Sequence, residues 1–326
     1  MKGLLPVLIY VLSISLIISQ DYPKKKFYKR EKHAAKIMGR DDRKYGDHSG
    51  NRVLCRFYNH GSIGDQSSSF SGVYPIGSGH SYIWEFSPVV AASVVDTNGF
   101  RRHIVSDGIS GLVDASPEGT PWSFEPLSGY SNPNQENLAM SDNKESWPNS
   151  WPNRTEDWNG EWNGQYGKYV RADQESYFVV DDRYNSEFEF WPDQNDIPED
   201  PTVSPDEHRR GLGIEMEARG YQWNHPAAED IIIVTYWITN VGSSVLDSVV
   251  FGMYGDADIG GASSFSDDDA WFDTENDMVY QWDHDNWSSS YGGFRPAYFG
   301  WSFLESPGNP HDCLLYTSPS PRDLRL

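Results

Sequence analysis

Lysine and arginine are absent between Gly220 and Phe294, a stretch that holds thirteen aspartates and glutamates. Such a surface repels phosphate, so nucleic acid and anionic membranes are excluded as partners of the body of the protein. Over the whole chain, 26 basic residues face 48 acidic ones, for a net charge of −22. Cysteine is scarce as well, with only Cys55 and Cys313 in 326 residues. That excludes a disulfide-rich scaffold and leaves stability to core burial and metal. Beyond the first twenty residues no apolar run approaches the roughly 20 residues of a spanning helix. Also missing are a Gly-x-Ser-x-Gly elbow, a His-Glu-x-x-His pair, a phosphate loop with its lysine, and a reactive-cysteine context. The hydrolase and nucleotide-binding classes that carry those motifs are therefore not indicated.

What the chain does have is aromatic residues, 14% of the total, which argues for a folded protein rather than a disordered one. Its length allows one large all-β domain or two ordinary ones. Met1-Lys2 precedes an apolar run from Leu4 to Ile18 that is broken by Pro6, Ser13 and Ser15 and followed by Ser19-Gln20-Asp21. This reads as a secretory signal peptide over residues 1–20, with no lipoprotein cysteine after it. The expected location is secreted or on a bacterial cell surface. Residues 21–50 then carry ten lysines and arginines against five acids. Such a basic tail is either a solvated leader or an arm that meets lipid head groups or the protein's own acidic face.

Strand signals fill the remainder, and the expected fold is all-β: an antiparallel β-sandwich, immunoglobulin-like or jelly-roll, with long irregular loops. Val89–Val95 and Phe100–Val105 flank Asn98-Gly99, a hairpin signal. Cys55 in the strand-like Arg52–Tyr58 reads as a small buried hydrophobe. Ser176–Val180 and Glu187–Trp191 read as strands, and the acidic, proline-rich stretch from Pro192 to Pro205 as a boundary. Two units follow: a β-rich domain over 51–200 and a β-sandwich domain over 206–312. In the second, Leu212–Trp223 puts Ile214, Met216 and Ala218 on a core face and Glu215, Glu217 and Arg219 towards water. Ile231–Thr239 is apolar on both faces, and Val245–Tyr254 returns from it, so a three-stranded meander is expected.

Two segments carry candidate chemistry. Residues 132–169 hold Trp147, Trp151, Trp158 and Trp162 among Asn, Pro and Gly, with few aliphatic residues. Flat indoles beside amides suit a glycan-binding platform, while a long loop anchored by buried indoles is the structural alternative. From Asp256, one loop is expected to gather Asp256, Asp258, Asp267, Asp268, Asp269, Asp273 and Asp277. Clustered carboxylates among glycines suit calcium, which takes six to eight oxygens in loose geometry. The spacing is not that of an EF-hand, and the nine histidines are too scattered for zinc. His284 reads as a surface histidine.

The segments ESWPNSWPN, ADQESYFVVDD, RRGLGIEMEARGYQW, AEDIIIVTYWITNVG, FGMYGDADIGG and FLESPGNPHD resemble the N-terminal part of large exported proteins of Gram-negative bacteria that use type IX secretion. The resemblance implies export to the surface, a calcium-type stretch after SPGNPHD, and later immunoglobulin-like or fibronectin-like modules with a C-terminal sorting domain. It implies no activity. Residues 313–326 differ in kind, since Cys313–Asp323 (CLLYTSPSPRD) resembles a translated sequencing adapter. Residues from about 313 are then expected to be foreign and the natural protein truncated near Asp312, which leaves Cys55 as the only genuine cysteine in this sequence. The leading expectation is a non-catalytic structural or adhesive surface protein, calcium-stabilised, that meets extracellular glycan or other surface proteins. The alternative is a carbohydrate-binding module or a glycoside hydrolase fragment, with paired carboxylates as its chemistry.

Overall fold

The computed structural model describes residues 8–18, 42–64, 71–96, 98–110, 115–117, 122–193, 208–261 and 264–305. Among them are fourteen strands and no α-helix. In chain order these are β1 (Leu8–Ile18), β2 (Tyr45–His48), β3 (Cys55–Tyr58), β4 (Glu85–Val95), β5 (Arg101–Asp107), β6 (Glu125–Pro126) and β7 (Ala139–Met140). There follow β8 (Gln174–Asp181), β9 (Ile214–Gln222), β10 (Ile232–Asn240), β11 (Asp247–Asp256), β12 (Asp268–Asp273), β13 (Met278–Asp283) and β14 (Tyr298–Glu305). A nine-stranded sheet runs β12-β13-β14-β1-β10-β9-β8-β6, with β7 also on β8. A three-stranded sheet, β11-β4-β5, faces it, and β2 pairs with β3.

Alternation in the sequence sets the core. Ile214, Met216 and Ala218 of β9, Ile232, Val234 and Tyr236 of β10, and Phe178 and Val180 of β8 turn one way and are buried. Phe86, Val90, Ala92 and Val94 of β4 meet them from the other sheet. Two ring contacts span the layers, Tyr236 to Phe251 at 5.3 Å and Phe86 edge-on to Phe299 at 5.2 Å. The expected all-β sandwich of largely antiparallel sheets with long loops is what forms. The β4–β5 hairpin turns where Asn98-Gly99 predicts it, with Gly99 at φ +81°, a left-handed conformation that costs glycine nothing. Cys55 is fully buried, and burial pushes its thiol up to about 12.

Several expectations are corrected. The boundary between 51–200 and 206–312 does not separate two units, because β8 pairs with β9, β4 pairs with β11, and both segments share one core. The meander stops at two strands: β10 pairs with β9, but β11 crosses to the other sheet and lies against β4. Glu187–Trp191 forms no strand, although Phe190 is buried. The uncleaved chain also carries Leu8–Ile18, part of the segment expected to be removed on export, as β1 between β10 and β14. No described helix is long and apolar enough to cross a membrane.

The far face of β8 and β9 does not meet water. The segment from Leu127 to Tyr169 lies across it and builds a second apolar cluster of Tyr130, Ala139, Trp151, Trp162, Tyr177 and Val179. Arg219, expected outside, is 2% exposed, with its guanidinium 3.9 Å from the centre of the Tyr177 ring. Tyr177 in turn donates its hydroxyl to Glu217 at 3.0 Å. The cover comes from residues distant in sequence, so the alternation within β9 does not announce it.

Candidate functional site

The four loop tryptophans are anchors. Trp151 and Trp162 are 3% and 2% exposed, and Trp147 and Trp158 are half-buried. Three of their indole N–H groups donate within the protein: Trp147 to Met140 O at 2.7 Å, Trp151 to Glu161 O at 3.0 Å, and Trp162 to a Glu175 carboxylate oxygen at 2.7 Å. The rings also stack among themselves, with Trp162 5.3 Å from Trp147 and edge-on to Trp151 at 6.0 Å. Trp158 lies under the Arg154 guanidinium at 4.3 Å. A sugar ring has no access to the faces of Trp151 and Trp162, so the indoles take the anchored-loop alternative rather than the exposed row a glycan platform needs. Each enclosed indole instead hides roughly 200 Å² from water, worth about 5 kcal/mol before ordering costs. That is the scale needed to hold a loop of this length in place.

The acids divide into three places rather than one loop. Asp256 ends β11, and the chain then turns through Asp258 with Ala257 and Ile259 buried beneath it. The next acids lie in or beside β12, where Asp268 pairs directly with Asp283 of β13. Like charges at opposed positions on neighbouring strands destabilise a sheet. Asp267, Asp283 and Asp285 bring one carboxylate oxygen each within 4.8 Å of one another. Asp283 is buried and accepts from Ser264 Oγ and from the Trp287 N–H, both at 2.7 Å. Asp267 and Asp285 are exposed.

Asp268 adjoins this group, since it stands opposite Asp283 in the β12–β13 ladder. Its Oδ2 accepts the Ile259 N–H at 2.8 Å, while its Oδ1 is buried with no hydrogen-bond partner among the described residues. Burial, reinforced by Asp283, Asp258 and Asp267 and opposed by the Ile259 N–H, pushes its carboxyl up to about 7. Burial and then Asp256 raise Asp258 to about 6. Two oxygens on one calcium, each at 2.3–2.6 Å, stand at most about 5 Å apart, so the Asp267, Asp283 and Asp285 spacing fits that ion. An orphaned carboxylate oxygen beside three more acids is the donor chemistry a hard cation takes.

Of the seven acids expected as ligands, Asp267 belongs to the triad and Asp268 adjoins it. Asp258 is near enough to Asp268 to help raise its pKa, as Asp256 does for Asp258. Asp269 is engaged elsewhere, accepting from or donating to nothing in the triad but lying 2.6 Å from His284 Nδ1. That contact raises the pKa of the exposed His284 imidazole. Asp273 and Asp277 sit at the other end of the hairpin, roughly 17 Å away along a six-residue strand. Asp273 accepts the Glu275 N–H at 2.8 Å, and Asp277 has φ +48°, so both serve the turn. Asp283 and Asp285 were not expected as ligands. Their signal was the β12–β13 register, which sets Asp283 opposite Asp268.

A second buried acidic pair ties the fold together. Arg209 grips both Asp181 oxygens at 2.7 Å. Asp182 accepts from Ser106 Oγ at 2.8 Å and from the N–H groups of Leu212 and Ile214 at 2.6 and 2.9 Å. Burial and then Asp181 push Asp182 up to about 7. With both oxygens engaged and no surface exposed, it links β5, β8 and the start of β9. Compared with protein-family models, with curated proteins and with solved structures, the chain has no match.

Proposed function

We propose that this chain is the N-terminal part of an exported, non-catalytic surface protein, and that its sandwich is stabilised by a hard divalent cation of the calcium type at Asp267, Asp283 and Asp285. The observation that carries the reading is the grouping of the three carboxylates next to Asp268, whose buried Oδ1 has no hydrogen-bond partner among the described residues, within a stretch of sequence that has no lysine or arginine. Asp267, Asp283 and Asp285 would hold the ion, and Asp268 would adjoin it. The cation's part is charge neutralisation, which turns a self-repelling corner into a clamp between the β12–β13 hairpin and the Asp283–Asn286 turn. Export is supported by the apolar, serine-broken leader and the resemblance to type IX secretion substrates. A supporting role is consistent with tryptophans spent on anchoring a loop.

The carbohydrate-binding alternative loses the residues that motivated it, because the indoles of Trp151 and Trp162 are enclosed and Trp147 and Trp158 are partly covered. Thermal melts in calcium and in chelator test the cation. No change in melting temperature between the two would sink it. Mass measurement of the protein recovered outside the cell tests export, with a mature chain starting near Asp21 as the expected result.

A further inference from the structure

β10 and β14 run in the same direction and stand one strand apart, with Leu8–Ile18 between them and parallel to both. Every other pairing between named strands of this sheet is antiparallel. The inserted strand also fits irregularly. Its register slips between Val11 and Ser13 against β10, and at two places against β14. Strand direction alternates from β12 through β13 to β14, and again from β10 through β9 to β8. One strand antiparallel to both β10 and β14 would make the alternation continuous across the sheet.

The position is roofed by the second sheet. β11 reaches β10 through Phe251 and Tyr236, and β4 reaches β14 through Phe86, which lies 4.8 Å from Trp301. Ile238, Met253, Trp301 and Phe303 are partly buried at this part of the core. An open gap there would leave two rows of backbone donors and acceptors unpaired beside apolar side chains, an arrangement that attracts another strand.

We infer that the space between β10 and β14 is a strand-acceptor groove, and that in the exported protein it takes an extended segment of the full-length chain, C-terminal to β14 and antiparallel to both neighbours. The inference rests on the export reading, because Leu8–Ile18 must leave for the groove to open. The occupant follows from chain direction. β14 ends at Glu305, and Ser306-Pro307-Gly308-Asn309 comes next, a sequence with turn chemistry. A chain that turns back from β14 lies antiparallel beside it, and sequential strands usually pair as neighbours. One side of β14 is already filled by β13, which leaves the groove.

The test is hydrogen exchange with mass spectrometry on three proteins: the chain with its leader, the exported chain ending at Asp312, and the exported full-length gene product. In the second, the amides of Ile232–Ile238 and Tyr298–Ser302 should exchange at least tenfold faster than in the first. Excess synthetic peptide of the Leu4–Ser19 sequence should restore their protection, and the third protein should be protected with no peptide. Unchanged protection in the leaderless chain overturns the groove. Fast exchange in the full-length product overturns the choice of occupant, and protection restored only by a second protein would assign the groove to a partner. Export is read separately, from the mass: if the leader is retained, that reading fails. The groove is then tested by Ser13→Pro, which removes a ladder donor from β1 and should speed exchange in the same two segments; unchanged exchange would overturn it.

Discussion

Asp283→Asn should reverse its effect on stability when calcium is added. The amide keeps the shape of the carboxyl and still accepts the Trp287 N–H, while its NH2 group faces Ser264 Oγ. What is lost is one charge in a group of acids whose oxygens lie within 4.8 Å. At that separation two unit charges repel by about 1 kcal/mol at a dielectric of 80 and about 3.5 kcal/mol at 20. Asp267 and Asp285 are exposed, so the lower end applies and salt weakens it further. In chelator at pH 7.5 the variant should therefore match the parent or exceed it by about 1–2 kcal/mol.

With calcium present the order should invert. A ligand at a hundred times its dissociation constant stabilises the folded state by about 2.7 kcal/mol. For a chain of this size that raises the melting temperature by roughly 4 °C. The variant, short of the one buried carboxylate in the triad, should gain less than about 2 °C. Differential scanning calorimetry of both proteins in calcium and in chelator gives all four values. An equal calcium shift in parent and variant would refute the site. A loss of more than about 2 kcal/mol in chelator would refute the strain argument, since it would show the Asp283 carboxylate to be a net support without metal.

The buried acids and histidines also set opposing pH dependences. Asp268 ionises near 3.8 in the unfolded chain and near 7 in the fold. The folded state thus holds a proton the unfolded chain has released, and stability falls as pH rises from about 4 to about 7. In chelator, the melting temperature of Asp268→Asn relative to the parent should climb across that window; a constant difference would contradict the shift. Buried His48 is pushed down to about 3 from an ordinary 6.5, so it costs stability as pH falls from 6.5 towards 3, and His48→Gln should flatten that acid limb in the same melts. Trp162→Phe removes a hydrogen bond to the buried Glu175 carboxylate. Urea denaturation should show a loss of about 1.5–3 kcal/mol, and a loss under about 0.5 kcal/mol would mean the loop is held some other way.

Local signals in the sequence were enough for elements and not for their partners. Asn98-Gly99 located the β4–β5 hairpin because a two-way turn with a positive φ leaves few residue choices. The alternation of Ile214, Met216 and Ala218 named the core face of β9 correctly. Nothing in Val245–Tyr254 said that β11 would leave β10 for β4, since alternation marks a strand but carries no address. Arg219 was misread for a similar reason: its face is closed by tryptophans some sixty residues earlier in the chain, and only tertiary contact reveals the cover. The acidic site was half legible. Clustering pointed to Asp267 and Asp268, whereas Asp283 and Asp285 joined them through strand pairing, and Asp273 and Asp277 were carried off by the same hairpin.

The acids left outside the triad have a physical role of their own. β12 is the edge of the large sheet, paired only with β13, and it exposes Trp271 and Phe272 on opposite faces. An apolar edge strand invites pairing with another chain, and charged side chains on it oppose that. Asp269 sits there beside Trp271, half-exposed and paired among the described residues with His284, a solvent-screened ion pair that adds little to stability. Asp269→Thr should therefore leave the melting temperature and its calcium shift nearly unchanged, since Asp269 is not part of the triad. It should nevertheless raise the weight-average mass measured by sedimentation equilibrium as concentration increases, more than in the parent. Identical sedimentation would show that edge protection lies elsewhere. A lost calcium shift would show that Asp269 belongs to the cation site after all, so the one variant separates the two uses of charge in this base-free region.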